Sequence, residues 1–73
     1  MAHLTPKEFD RLERAIDDGQ RIAVIRQGRE LVVVPMRLRV QAGREIIEAR
    51  HPTTGESITL RLDDLDGLEV VSR

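Results

Sequence analysis

A chain of 73 residues with no cysteine and one aromatic side chain, Phe9, excludes a disulfide scaffold, a thiolate metal site and an aromatic core. It has room for one domain, built on aliphatic packing and marginal unless it is well packed or oligomeric. Its net charge of −1 hides an uneven distribution: residues 1–20 hold three basic and five acidic side chains, residues 21–50 hold seven and three, and residues 51–73 hold two and five.

A basic centre between acidic ends suits a binding face for an anion. It also suits exposed strand arginines paired with acidic neighbours, the commoner origin of such a charge pattern. The absence of cysteine fits a reducing compartment. There is no signal-like hydrophobic segment at the N-terminus and no apolar run of membrane-spanning length. The expectation is a soluble, cytoplasmic protein with no membrane association.

Met1 to Leu4 reads as a frayed end. Thr5-Pro6-Lys7-Glu8 then carries a helix start: Thr5 as N-cap, Pro6 at the first helical position and Glu8 completing a capping box. Phe9, Leu12 and Ile16, with Ala15 beside them, set one apolar stripe on a helix spanning 5–19 and stopped by Gly19. Asp17 and Asp18 oppose the helix dipole and have no local explanation.

Residues 21–27 read as a first strand, and Gln27-Gly28-Arg29 as a tight turn. Glu30 to Val40, ELVVVPMRLRV, is the longest apolar-rich run and the one the rest must pair with or pack on. Alternation places Val32, Val34, Met36, Leu38 and Val40 on one face. Leu31, Val33, Pro35, Arg37, Arg39 and Gln41 fall on the other, with the arginines outward. The first half is apolar on both faces and needs cover on both. Pro35 cannot donate to a ladder and marks an edge, a bulge or a bend.

Ala42-Gly43 turns the chain again. Residues 44–50 form a third strand with Ile46 and Ile47 on opposite faces, followed by a loop at His51-Pro52-Thr53-Thr54-Gly55. Residues 57–62 alternate cleanly, with Ile58, Leu60 and Leu62 inward. Asp63 to Gly67 suggests one turn of 3₁₀ helix, and Leu68 to Val71 a last short strand. The expected fold is mainly β: one N-terminal helix, then a five-stranded antiparallel SH3-like or Sm-like barrel over 21–72, in a single domain over 1–73.

Several of these segments resemble the WYL domain, a small Sm-like barrel of bacterial transcription regulators. The matching residues are Ala15-Ile16 near the helix end, Val34-Pro35 followed by Leu38, Gly43 before a strand ending at Ala49, and Leu60-Arg61-Leu62-Asp63-Asp64-Leu65. The resemblance runs from Leu12 to Val71. It implies a module that binds a ligand or nucleic acid and regulates transcription; without a helix-turn-helix segment it would be a free-standing barrel. The naming tripeptide falls at Glu45-Ile46-Ile47, with no Trp or Tyr, so the family's polar aromatics are not carried over. The helix run Phe9-Asp10-Arg11-Leu12-Glu13-Arg14-Ala15 also resembles Rof, the small inhibitor of the terminator Rho, which shares the helix-plus-barrel layout.

Among chemistry-bearing residues, Arg37, Arg39 and Arg61 are the leading anion or nucleic-acid contacts, with Arg26 and Arg44 extending the patch. The guanidinium fork matches phosphate. With no exposed aromatic to stack bases, binding would rest on phosphates and be salt-sensitive. The competing expectation is a solvated arginine face paired with Glu45, Glu48 and Glu69.

His3 and His51 lack convergent ligands for a metal, and Asp63, Asp64 and Asp66 lack a calcium-loop pattern. Thr53, Thr54, Ser57 and Ser72 lack a histidine base at a recognisable spacing. No enzyme, cofactor or metal is expected. The partner classes left open are nucleic acid, a protein, and a second copy in a homodimer. The last is the alternative reading: a homo-oligomerising interaction domain, Rof-like inhibitors included, with no nucleic-acid binding.

Overall fold

The computed structural model describes residues 5–71; the expected frayed start, with His3, and Ser72 lie outside them. Helix α1 spans Pro6–Asp18. Its start follows the sequence reading. The Thr5 hydroxyl accepts from the Glu8 N–H at 3.2 Å, and the Glu8 carboxylate accepts from the Thr5 N–H at 2.9 Å. Two otherwise orphaned donors are thereby satisfied reciprocally. Gly19 closes the helix in the left-handed region at φ 68, a conformation that disfavours any residue with a Cβ. Leu12 and Ala15 are fully buried, and Phe9 and Ile16 pack around them.

Five strands follow: β1 Arg21–Arg26, β2 Arg29–Gln41, β3 Arg44–Arg50, β4 Ser57–Arg61 and β5 Gly67–Val71. A 3₁₀ turn at Leu62–Asp64 links β4 to β5. It begins one residue earlier than the alternation suggested, so Leu62 enters the core from a turn rather than from a strand. All pairings are antiparallel, in the order β4-β3-β2-β1-β5. The sheet is not closed: β4 and β5 are its two ends. Five antiparallel strands with one helix match the expectation, whereas a continuous hydrogen-bonded barrel is not what the ladders form.

β2 serves two ladders in succession. Its first residues pair with β1, ending at Ile22 opposite Val33, and from Val34 onward it pairs with β3. At the hand-over the register slips. Pro35 faces Ala49 and Arg37 faces Glu48, leaving Met36 as the extra residue of a β-bulge. Pro35 lies beyond the end of the β1 ladder, where β2 has a neighbour on one side only, and a missing N–H is tolerated there.

The bulge corrects the face assignment made from alternation. Val33 and Pro35 point into the core before it, and Leu38 packs against the core after it. Met36 and Val40, expected on the core face with Leu38, are exposed, Val40 by 69%. Met36 is the bulged residue. Val40 pairs with Glu45 beyond the reach of β4, whose ladder to β3 stops at Ile46 opposite Arg61.

The core joins Leu12 and Ala15 of α1 to Ile22, Val24, Val33, Ile47, Ala49, Leu60, Leu62 and Leu65. The helix therefore covers the inner side of the sheet, and Val32 and Val34 remain half-buried on the outer side. Ile47→Ala should cost about 2–5 kcal/mol, a large share of the roughly 4–11 kcal/mol a chain of this length holds. Val40→Ala should move stability by no more than about 0.5 kcal/mol. Urea unfolding of the two variants checks the contrast; equal losses would contradict the burial of Ile47 and the exposure of Val40.

Candidate functional site

The second hairpin builds the site by register alone. Ala42 and Gly43, at φ 53 and 75, form a two-residue turn with both central residues left-handed. Counting back from it places Gln41 opposite Arg44, Arg39 opposite Ile46 and Arg37 opposite Glu48. β4 continues the rows, with Arg61 beside Ile46 and Thr59 beside Glu48. Cross-strand partners share a face. Arg37, Arg39, Arg44 and Arg61 therefore project from one outward face, opposite the core row of Leu38, Ile47 and Leu60.

Ile46 sits between Arg39 and Arg61 in this outward row. It is only 7% exposed, yet it is no member of the core cluster. Long arginine stems on either side of an apolar residue suit covering it while their charged heads stay in water. The two flanking strands lie about 10 Å apart, two strand spacings. Gln41, Ala42, Arg44, Ile46 and Arg61 line a shallow depression of about 370 Å³ at this end of the face.

The electrostatics centre on Glu48. Arg37 Nε lies 3.1 Å from one of its carboxylate oxygens, and Arg39 Nε lies 3.2 Å from the other. Arg39 also donates through Nη2 to Gln41 Oε1 at 3.2 Å. Arg44 Nη1 donates to Asp63 Oδ2 at 3.3 Å. Among the described residues Arg61 has no carboxylate within 4 Å. Of the three acidic partners expected for the arginines, Glu48 is the one engaged. Glu45 faces Val40, and Glu69 lies on β5, opposite Ala23 of β1.

Arg26 does not join this face. It pairs with Arg29 at the tip of the first hairpin, at the other end of β2. His51 belongs to the loop before β4: its N–H donates to the Glu56 carbonyl and its carbonyl accepts from the Gly55 N–H. Among the described residues no three His, Asp or Glu side chains converge as metal ligands, and no helix is long and apolar enough to cross a membrane. Asp63, read from sequence as a turn residue, also holds Arg44. The sequence reading named neither this pair nor the bridging position of Glu48; counting across the Ala42-Gly43 turn would have found the second.

No protein-family model matches the chain, and no curated protein matches it. Among solved structures, it is similar to part of the proteasome accessory factor B/C (PafBC) of Arthrobacter aurescens, with a TM-score of 0.75 and 22% identity. The match covers 97% of this chain and 13% of that one. At this identity the likeness establishes a shared fold: the helix and five strands recur as a small part of a much longer protein.

The ion pairs on the face are solvent-exposed, the Arg37 side chain by 63%. Exposed pairs contribute little to stability because water and salt screen them. Arg37→Ala should therefore change unfolding free energy by less than about 1 kcal/mol in a urea titration. A loss of several kcal/mol would mean that the arginines are structural and not available to a ligand.

Proposed function

We propose that this chain is a non-catalytic binding module with a WYL-type, Sm-like small-barrel architecture, and that it contacts the phosphate backbone of a nucleic acid through Arg37, Arg39 and Arg61, with Arg44 beside them. The observation that carries the reading is the placement of four arginines on one outward face of β2, β3 and β4. Two elements support the regulatory setting: the WYL-like residue pattern, and a fold shared with a segment of a larger bacterial protein. Arg26, at the far end of β2, is outside the proposed contact.

The chemistry fits a phosphate chain better than a base-reading site. Guanidiniums match phosphate oxygens in planar, paired geometry. The face offers no aromatic ring for stacking, so sequence discrimination would be slight. Affinity would come from releasing condensed counterions and would fall steeply with salt.

A second reading has its own observation. Ile25 and Val71 are more than a third exposed on the outer side of the β5-β1-β2 ladders, near the half-buried Val32 and Val34. Such a surface suits self-association. A concentration-dependent dimer by sedimentation, without oligonucleotide binding, would favour it.

The deciding experiment is fluorescence anisotropy of a labelled single-stranded oligonucleotide at several salt concentrations. Wild type should bind with a slope of about −2 in log K against log salt, the value for three phosphate contacts on a single strand. The triple variant Arg37→Ala, Arg39→Ala, Arg61→Ala should lose binding while retaining its fold. No binding by wild type at low salt would end the nucleic-acid reading.

A further inference from the structure

Glu48 lies at the middle of the arginine face, with one carboxylate oxygen on Arg37 and the other on Arg39. Both contacts use Nε, the edge of each guanidinium nearest the sheet. Two guanidiniums two residues apart on one strand thus converge on a single anionic group, and that group is the chain's own. We propose that Glu48 is a built-in competitor on this face: it occupies the shared arginine position in the free protein, so that a chain of phosphodiesters binds and an isolated small anion does not. The inference rests on the phosphate-binding reading above and adds to it the residue that sets its selectivity.

Glu48 and an incoming anion compete for the same two guanidiniums. A carboxylate tethered beside its partners acts at an effective concentration of about millimolar or more. A free phosphate or carboxylate must displace it and gains only the two contacts it vacates. A phosphodiester chain also reaches Arg61, which has no acidic partner among the described residues, and the Nη groups of Arg44 not engaged with Asp63. Those added contacts offset the displacement of Glu48. The same carboxylate repels the incoming backbone at close range, which weakens every polyanion while leaving the order of preference intact.

Neighbouring acidic residues do not share this role. Glu45 pairs with Val40 near the hairpin tip, on the opposite parity of β3. Asp63 holds Arg44 from the 3₁₀ turn and leaves Arg37 and Arg39 untouched. Glu48 is the only acidic side chain among the described residues with a salt bridge to two arginines.

The test compares wild type with Glu48→Gln, which keeps shape and removes charge, and with Glu45→Gln, which makes the same change in net charge away from the pair. Each is titrated with the labelled oligonucleotide and, separately, with inorganic phosphate, followed by the Arg37 and Arg39 Nε–H signals in nitrogen-proton NMR spectra. Glu48→Gln should tighten oligonucleotide binding by about three- to tenfold, and millimolar phosphate should shift both arginine signals in this variant alone. Glu45→Gln should stay within about twofold of wild type.

Equal oligonucleotide affinity in wild type and Glu48→Gln would overturn the competitor role and leave the phosphate-binding reading standing. Equal gains in both glutamine variants would also overturn it, by reducing the effect to net charge. Absence of binding in all three would overturn it together with the reading beneath it. Should Glu48→Gln fail to fold, Glu48→Thr, a strong strand former opposite Thr59, replaces it in the same comparison.

Discussion

A strand that belongs to two ladders has to turn between them, and here the turn takes up one residue, Met36. Up to Val33, β2 pairs with β1, and from Val34 it pairs with β3; Val33 and Pro35 point inward before the extra residue and Leu38 after it. Without the extra residue, strict alternation would put Pro35, Arg37 and Arg39 on one side together. The core side of Pro35 would then meet two guanidiniums. The bulge lets an apolar first half and an arginine-bearing second half coexist in one 13-residue strand. It also gives Pro35 a position where no ladder donor is missed.

The arginine face follows from that arrangement and from the short turn at Ala42-Gly43. Its geometry is fixed by backbone pairing more than by side-chain contacts, which explains why exposed ion pairs suffice to organise it. Ile46 completes the device. It is an apolar residue of the outer side, 7% exposed, set between Arg39 of β2 and Arg61 of β4. A chain with one aromatic residue has little stacking or quadrupole chemistry to offer a ligand; what this face presents is charge placed by register.

Much of this was legible in the sequence. The capping box at Thr5 and Glu8, the stop at Gly19 and the two hairpin turns are local signals, and each local signal led to the observed element. The register of β2 on β3 was legible too, because a two-residue turn leaves one way to count. What local reasoning missed is what depends on the whole fold. The inward-facing parity of β2 changes partway along the strand, and Pro35 marked the neighbourhood without saying which residue would be extra. The pairing of β5 with β1 joins distant segments that no short pattern links. Ladder closure, expected from a short meander with a bend in β2 and a single turn before β5, is not formed: β4 and β5 remain the two ends of the sheet. The split of the arginines, with Arg26 left at the far hairpin, likewise depends on where each strand ends.

The most direct test of the account is a methyl and side-chain nuclear Overhauser spectrum of the folded protein. Val33, Pro35 and Leu38 should show contacts to the core residues Ala49, Ile47 and Leu12, and the Met36 and Val40 methyls none to that core. Contacts from Met36 and Leu38 together to the core, with Pro35 facing solvent beside Arg37, would show an unbroken strand. That result would contradict the bulge at Met36 and the inward placement of Pro35.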